Sequence, residues 1–218
     1  MDRMKVGQTI SENTSNITHH AVPGKAYDLG KRLFDLVGAA FCLVLTSPVM
    51  VICACWIKLT DGGPVLYKQW RVGKNGWLFR VYKFRTMRMN AETDGIQFAA
   101  TDDPRVMPGC NFLRKSHIDE LPQLFNILFG QMSLVGPRPE RPEIFEEFRH
   151  DMPGFERRLA AAPGLTGLAQ VRNGYTNDKD GMRRKLAYDL RYLRRRTLFG
   201  DLLLVMQTIP KFWDRSAC

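Results

Sequence analysis

The adjacent carboxylates Asp119 and Glu120 are the residues whose type and setting best suit chemistry. Neighbours on a helix point about 100° apart, so the two cannot face each other across a bond as a glycosidase pair does. Their position says more. Proline is tolerated only in the first turn of a helix, so Pro122 makes Asp119 the expected N-cap, or the residue beside it. The helix would run to about Phe129, with Gly130 as its stop. Free amides and the helix dipole at such a start favour anions, which predicts a lowered Asp pKa and a nearby phosphate. A carboxylate held there can attack phosphorus or bind Mg²⁺, which prefers oxygen ligands and phosphate. The structural alternative is that Asp119 only caps the helix and Glu120 complements its dipole.

Cations at three places suit a phosphate. Arg138 lies between Pro137 and Pro139, which fix its backbone while its fork of donors points outward. Lys83 and Arg85 end one face of a strand whose alternation also aligns Trp77, Phe79 and Val81. A salt bridge for Arg138 and a solvated strand edge for Lys83 and Arg85 are the competing readings. Pro163-Gly164-Leu165-Thr166-Gly167 has glycines that allow close backbone approach to a ligand, though it matches no P-loop. His117 beside the carboxylates has no second histidine at ligand spacing and reads as a surface residue.

The elements that must position these residues form an α+β pattern. Val65–Val72 and Trp77–Met87 read as strands joined by Gly73-Lys74-Asn75-Gly76, whose Asn-Gly pair favours a tight hairpin turn. Residues 88–110 are loop-rich, with a turn over Thr101–Arg105. Helices are expected over Pro142–His150, Lys179–Arg196 and Leu198–Ile209. The second carries eight Lys and Arg residues against Asp180 and Asp189, with Leu186, Leu190 and Leu193 on its other face. It can lie on an anionic membrane surface or pack on the core with a solvated basic face.

Upstream, an apolar run from Leu36 to Ile57 carries Ser47-Pro48 near its centre. About 20 apolar residues suffice to cross a bilayer. Pro48 predicts a kink, and the Ser47 hydroxyl can bond a carbonyl that the kink frees. Lys25, Lys31 and Arg32 precede the run while Lys58, Lys68 and Arg71 follow it, which places both ends on the cytoplasmic face. A re-entrant helix-break-helix satisfies both features. Each arm of about 13 residues reaches roughly 20 Å, short of the ~30 Å hydrocarbon core. A kinked spanning helix and a buried core helix are the alternatives.

The resulting division is a disordered tail over residues 1–27, a re-entrant membrane helix over 28–60, and a cytoplasmic catalytic domain over 61–213 with interfacial C-terminal helices. A net charge of +10 over 218 residues favours an anionic partner. Lipid and phosphate suit a chain with a membrane segment better than nucleic acid does. Five cysteines show no disulfide or zinc spacing, so a reducing compartment is expected and the Asn16-Ile17-Thr18 sequon is incidental.

Several strings recur together in one known family. They are Lys31-Arg32-Leu33-Phe34-Asp35, Ser47-Pro48, Tyr82-Lys83-Phe84-Arg85-Thr86-Met87, Asp119-Glu120-Leu121-Pro122-Gln123-Leu124, Val135-Gly136-Pro137-Arg138-Pro139 and Pro163-Gly164-Leu165-Thr166-Gly167. In these, over roughly residues 28–213, the chain resembles the bacterial sugar transferases, monotopic phosphoglycosyl transferases, in their minimal catalytic form. The resemblance implies transfer of a sugar 1-phosphate from a nucleotide diphosphate sugar, usually a UDP-sugar, to undecaprenyl phosphate with release of the nucleoside monophosphate. It implies a ping-pong route through a phosphosugar on Asp119, Mg²⁺ at that carboxylate, and Glu120 supporting metal or proton handling. Lys83 and Arg138 match positions near the phosphates, and Ser47-Pro48 matches the re-entrant break. It also implies the bacterial inner membrane, with the catalytic domain on its cytoplasmic face, membrane lipid as a partner, and no nucleic acid. A homo-oligomer is compatible with it. The sequence after Val171 departs from the family's Asn-Gly-Arg, reading Arg172-Asn173-Gly174-Tyr175, and Arg172 is assigned no role. A glycosyltransferase that moves the sugar alone and a non-enzymatic membrane adaptor are the rival readings.

Overall fold

The computed structural model describes residues 24–89, 91, 103–173 and 179–210. The expected tail up to residue 23, part of the Thr101–Arg105 turn and Gly174-Tyr175 lie outside these residues.

Helix α1 (Lys25–Asp61) is 37 residues long and ends at Gly62, whose φ of 66° is the left-handed conformation that glycine accepts readily. It is long and apolar enough to cross a membrane. A single helical element runs through Ser47-Pro48. Pro48 has no amide hydrogen for the carbonyl four residues back, which belongs to Val44. The Ser47 hydroxyl donates to that same Val44 oxygen at 2.9 Å. The donor lost at the proline is therefore replaced locally, and the helix continues.

Both halves of α1 pack on the same body. Phe34, Ala39, Cys42 and Leu43 join a core with Leu124, Ile127, Met132, Leu134 and Val135. Met50, Cys53, Ala54 and Ile57 join another with Phe84, Met107, Cys110 and Leu113. Between them Val44, Leu45, Ser47, Pro48 and Val49 are exposed.

Strands β1 (Leu66–Val72) and β2 (Leu78–Phe84) pair antiparallel, from Leu66 opposite Phe84 to Val72 opposite Leu78. Asn75 at φ 55° and Gly76 at φ 82° turn the hairpin, as the Asn-Gly pair predicts. Two short helices follow, α2 (Cys110–Lys115) and α3 (Gln123–Leu128). Helix α2 falls where the sequence offered no periodic signal. Strand β3 (Ser133–Val135) then precedes the proline-rich segment, helix α4 (Pro142–Asp151) and strand β4 (Gly164–Thr166). Helices α5 (Leu168–Asn173), α6 (Lys179–Arg195) and α7 (Leu198–Thr208) complete the described chain.

The parallel β3–β4 pairing explains glycines that the sequence associated with a ligand. A Cβ on Gly164 would stand 2.1 Å from the Gly136 nitrogen, and one on Gly167 would stand 2.2 Å from the Gly136 oxygen. Backbone, not substrate, makes the close approach. Lys31 and Arg32, read as flanking charges, are likewise clamps. Lys31 Nζ reaches Asp35 at 2.8 Å, Ser133 at 2.6 Å and Asp201 at 3.4 Å. Arg32 donates to the carbonyls of Ile127 and Leu128, at 2.7 and 2.8 Å, closing the end of α3.

Candidate active site

Asp119 and Glu120 occupy a 3-10 turn, Ile118–Glu120, ahead of α3. The expected long helix with Asp119 at its cap is not formed. Pro122 itself stands at the N-cap of a six-residue helix, which leaves Asp119 a turn upstream. His117 enters the turn with φ 53°, a left-handed backbone that is uncommon outside glycine. It is half-buried rather than a surface residue, and burial holds its imidazole below the usual histidine value.

The two carboxylates have different environments. Glu120 accepts from Lys83 Nζ at 2.6 Å and from both Arg138 Nη atoms, at 2.6 Å to Oε1 and 3.3 Å to Oε2. Burial favours the neutral acid, but Arg138 and Lys83 outweigh it and hold Glu120 well below the usual range. Asp119 is equally enclosed, yet among the described residues its carboxylate has no hydrogen bond. Burial pushes it up to about 7, with Lys83 pulling the other way and Glu120 adding to the rise. The lowered Asp pKa expected from a helix start is thus reversed, because desolvation exceeds what a 3-10 turn supplies. One carboxylate is ionised and holds two cations. The other is buried, unclamped and next to them.

The scaffold delivers these groups separately. Lys83 comes from β2, whose preceding residue Tyr82 donates its amide to Asn126 Oδ1 at 3.0 Å. Asn126 Nδ2 returns a bond to the Arg80 carbonyl at 2.8 Å, fixing the strand to α3. Arg138 projects from the extended segment after β3. Arg85 does not join them. It pairs with Asp61, donates to the Pro64 carbonyl at 2.7 Å and is 5% exposed. Its place in the fold is to tie the end of α1 to β2, not to line the carboxylate site. The period-2 face was read correctly, but a partner 24 residues upstream decided what the arginine does.

The family profile of the bacterial sugar transferases matches residues 26–215. The chain belongs to this family. A UDP-N-acetylgalactosamine-undecaprenyl-phosphate N-acetylgalactosaminephosphotransferase of Aeromonas hydrophila is 43% identical over 188 residues, covering 86% of this chain and 44% of that protein. UDP-glucose:undecaprenyl-phosphate glucose-1-phosphate transferases of Klebsiella pneumoniae and Caulobacter vibrioides are 40% and 41% identical. The matches cover 86% and 87% of this chain, and 41% and 72% of those proteins. The chain thus spans under half the length of two of these transferases and most of the third.

Beside the site lie family-region residues that local patterns did not reveal. Arg71, Glu140, Arg158, Lys185 and Asp189 form a buried ionic cluster behind Arg138. They are scattered from residue 71 to 189, so no spacing rule joins them. Arg172 is exposed on α5. Among the described residues no three His, Cys, Asp or Glu side chains gather as a metal site. Mg²⁺ commonly takes one or two protein carboxylates and fills its shell with water and substrate phosphate. An enclosed aspartate without a hydrogen-bond partner among the described residues fits that role.

Proposed function

We propose that this chain is a phosphoglycosyl transferase that moves a sugar 1-phosphate from a UDP-sugar to undecaprenyl phosphate and releases UMP. The observation that carries the reading is the division of labour between the two carboxylates. Glu120 is committed to Lys83 and Arg138, while Asp119 is enclosed beside them with no bond to its oxygens among the described residues. The relatives' names supply the substrate classes.

In this reading an Asp119 oxygen attacks the phosphorus that bears the sugar. The bond from that phosphorus to the bridging oxygen breaks, and UMP departs with the electron pair. An oxygen of undecaprenyl phosphate then attacks the same phosphorus and displaces the Asp119 carboxylate. Two displacements let one site handle two anionic substrates in turn. Lys83 and Arg138 offset the phosphate charge, and Glu120 keeps both aimed before substrate arrives. Proton handling does not suit a glutamate held this far ionised. Mg²⁺ held by Asp119 would supply charge neutralisation at the diphosphate and leaving group.

The same reading places the chain on the inner membrane, catalytic body in the cytosol, with α1 re-entrant. Support comes from both halves of α1 packing on one body while Val44, Leu45 and Ser47–Val49 stay exposed. A body on one face of the membrane can meet both halves of α1 when both ends of the helix lie on that face. Exposed Leu202, Leu203 and Met206 on α7, beside the basic α6, suit a lipid interface. Service to exopolysaccharide, O-antigen, capsule or glycoprotein glycan assembly follows from the product class.

Purified protein, Mg²⁺, a UDP-sugar panel and undecaprenyl phosphate test the activity. Release of UMP with a sugar diphosphate lipid is the expected outcome. Release of UDP would instead show transfer of the sugar alone.

A further inference from the structure

The segment that carries Arg138 has its carbonyls held one by one. Gly164 N donates to Pro137 O at 2.9 Å, and Arg158 Nη2 donates to Arg138 O at 3.0 Å. Arg71 Nη1 donates to Pro139 O at 3.0 Å, and Val72 N donates to Glu140 O at 3.0 Å. Four consecutive carbonyls are thus fixed by β4, by the 3-10 turn Phe155–Ala160 and by β1. Two of the four donors are guanidinium groups, Arg158 buried and Arg71 half-buried, and such charged donors hydrogen-bond more strongly than neutral ones.

Arg158 is the centre of this arrangement. It is 2% exposed, and besides the Arg138 carbonyl it reaches Glu140 Oε1 at 3.1 Å and Asp189 Oδ2 at 2.7 Å. Lys185 Nζ meets the same Glu140 oxygen at 2.5 Å. Helix α6 is thereby joined to the segment that presents Arg138, through the Asp189–Arg158 ion pair and the bond from Lys185 to the Glu140 side chain. A lysine has one point of attachment and cannot serve Glu140 Oε1 and the Arg138 carbonyl together as a guanidinium fork does.

We propose that Arg158 is a positioning residue for the transfer reaction, setting through the Arg138 carbonyl where the Arg138 guanidinium meets Glu120 and the substrate phosphate. This rests on the reading of Arg138 as a phosphate holder. Arg158 touches no reacting atom. A backbone freed at one carbonyl lets a long side chain drift by about an ångström, which can cost up to roughly 100-fold in rate.

A double-mutant cycle in kcat/KM for UMP release tests it, using R158K, R138K and the pair, each checked by thermal unfolding in detergent. R158K alone should lower kcat/KM by about 10- to 100-fold in protein that thermal unfolding shows to be still folded at the assay temperature. In the R138K background R158K should cost nothing further, because the group it aims has been replaced. Losses that multiply, or an R158K protein with unaltered kcat/KM, would overturn the proposal. If R138K alone leaves activity unchanged, the phosphate-holding role of Arg138 fails, a result distinct from the first. Should R158K not fold, D189N takes its place, since it loosens Arg158 from the side away from Arg138. The same two patterns then decide.

Discussion

The chemistry at the residue scale turns on an asymmetry between neighbours in sequence. Glu120 has three charged bonds from two side chains, and Asp119 has none among the described residues. Removing the charge of each should therefore produce different failures. D119N retains the shape of the side chain but loses the attacking oxygen. It should lower turnover by on the order of 10⁴-fold or more, with no sugar-phosphate adduct in intact-protein mass spectra after incubation with donor alone. Full turnover by D119N would remove the nucleophile assignment. E120Q keeps Asp119 and should still form adduct, but Lys83 and Arg138 lose the anion that aims them. A loss of about 10²- to 10³-fold in kcat is expected, comparable to removing a preorganised transition-state donor. Pre-steady-state UMP bursts would locate it in the first displacement. An E120Q protein with unaltered burst rate would mean that the two cations need no such anchor.

At the element scale, α1 tolerates an internal proline because Ser47 donates to the carbonyl that Pro48 leaves without a partner. S47A should lower stability by about 1 kcal/mol, the usual net value of one hydrogen bond. Thermal unfolding in detergent measures this, and no change in S47A would mean that another donor serves Val44. The hairpin and helices α4, α6 and α7 were legible, because period-2 alternation, Asn75-Gly76, Pro142 and the long basic stripe are local signals. Helix α2 and the β3–β4 pair were not, since six residues and three residues carry too little periodicity. The carboxylate pair, Lys83 and Arg138 were visible as residue types in motif order. What could not be read was which carboxylate the cations would hold. That choice is made by contacts spanning 37 residues to Lys83 and 18 to Arg138. Arg85 shows the converse, since its strand position was right and its partner Asp61 was set by the end of another element.

Two features involve the whole molecule, the buried ionic cluster that joins β1, the proline segment and α6, and the seating of α1. In the cluster, burial raises the Glu140 carboxyl, but Lys185, Arg158 and Arg71 outweigh it and hold Glu140 far below the ordinary value. A carboxylate with a depressed folded pKa stabilises the fold fully above its unfolded pKa, and that stabilisation is lost as pH falls through the folded one. Glu140 therefore contributes at neutral pH, begins to lose its contribution below about 4.5 and keeps some of it well into strong acid. E140Q should unfold more easily at pH 7, by about 3–5 kcal/mol for a broken buried pair, and its deficit should shrink towards acid. A deficit independent of pH would assign the loss to packing. The seating of α1 makes a prediction that no local part could make. Its two halves pack on separate cores of one body, and under the re-entrant reading both ends are expected on the side where that body lies. Single cysteines at Asp28 and Thr60, in a chain whose native cysteines are serine, report this through a membrane-impermeant maleimide. In inverted vesicles both should label, and in intact spheroplasts neither should. Labelling of one position in each preparation would require the helix to cross and would overturn the re-entrant reading.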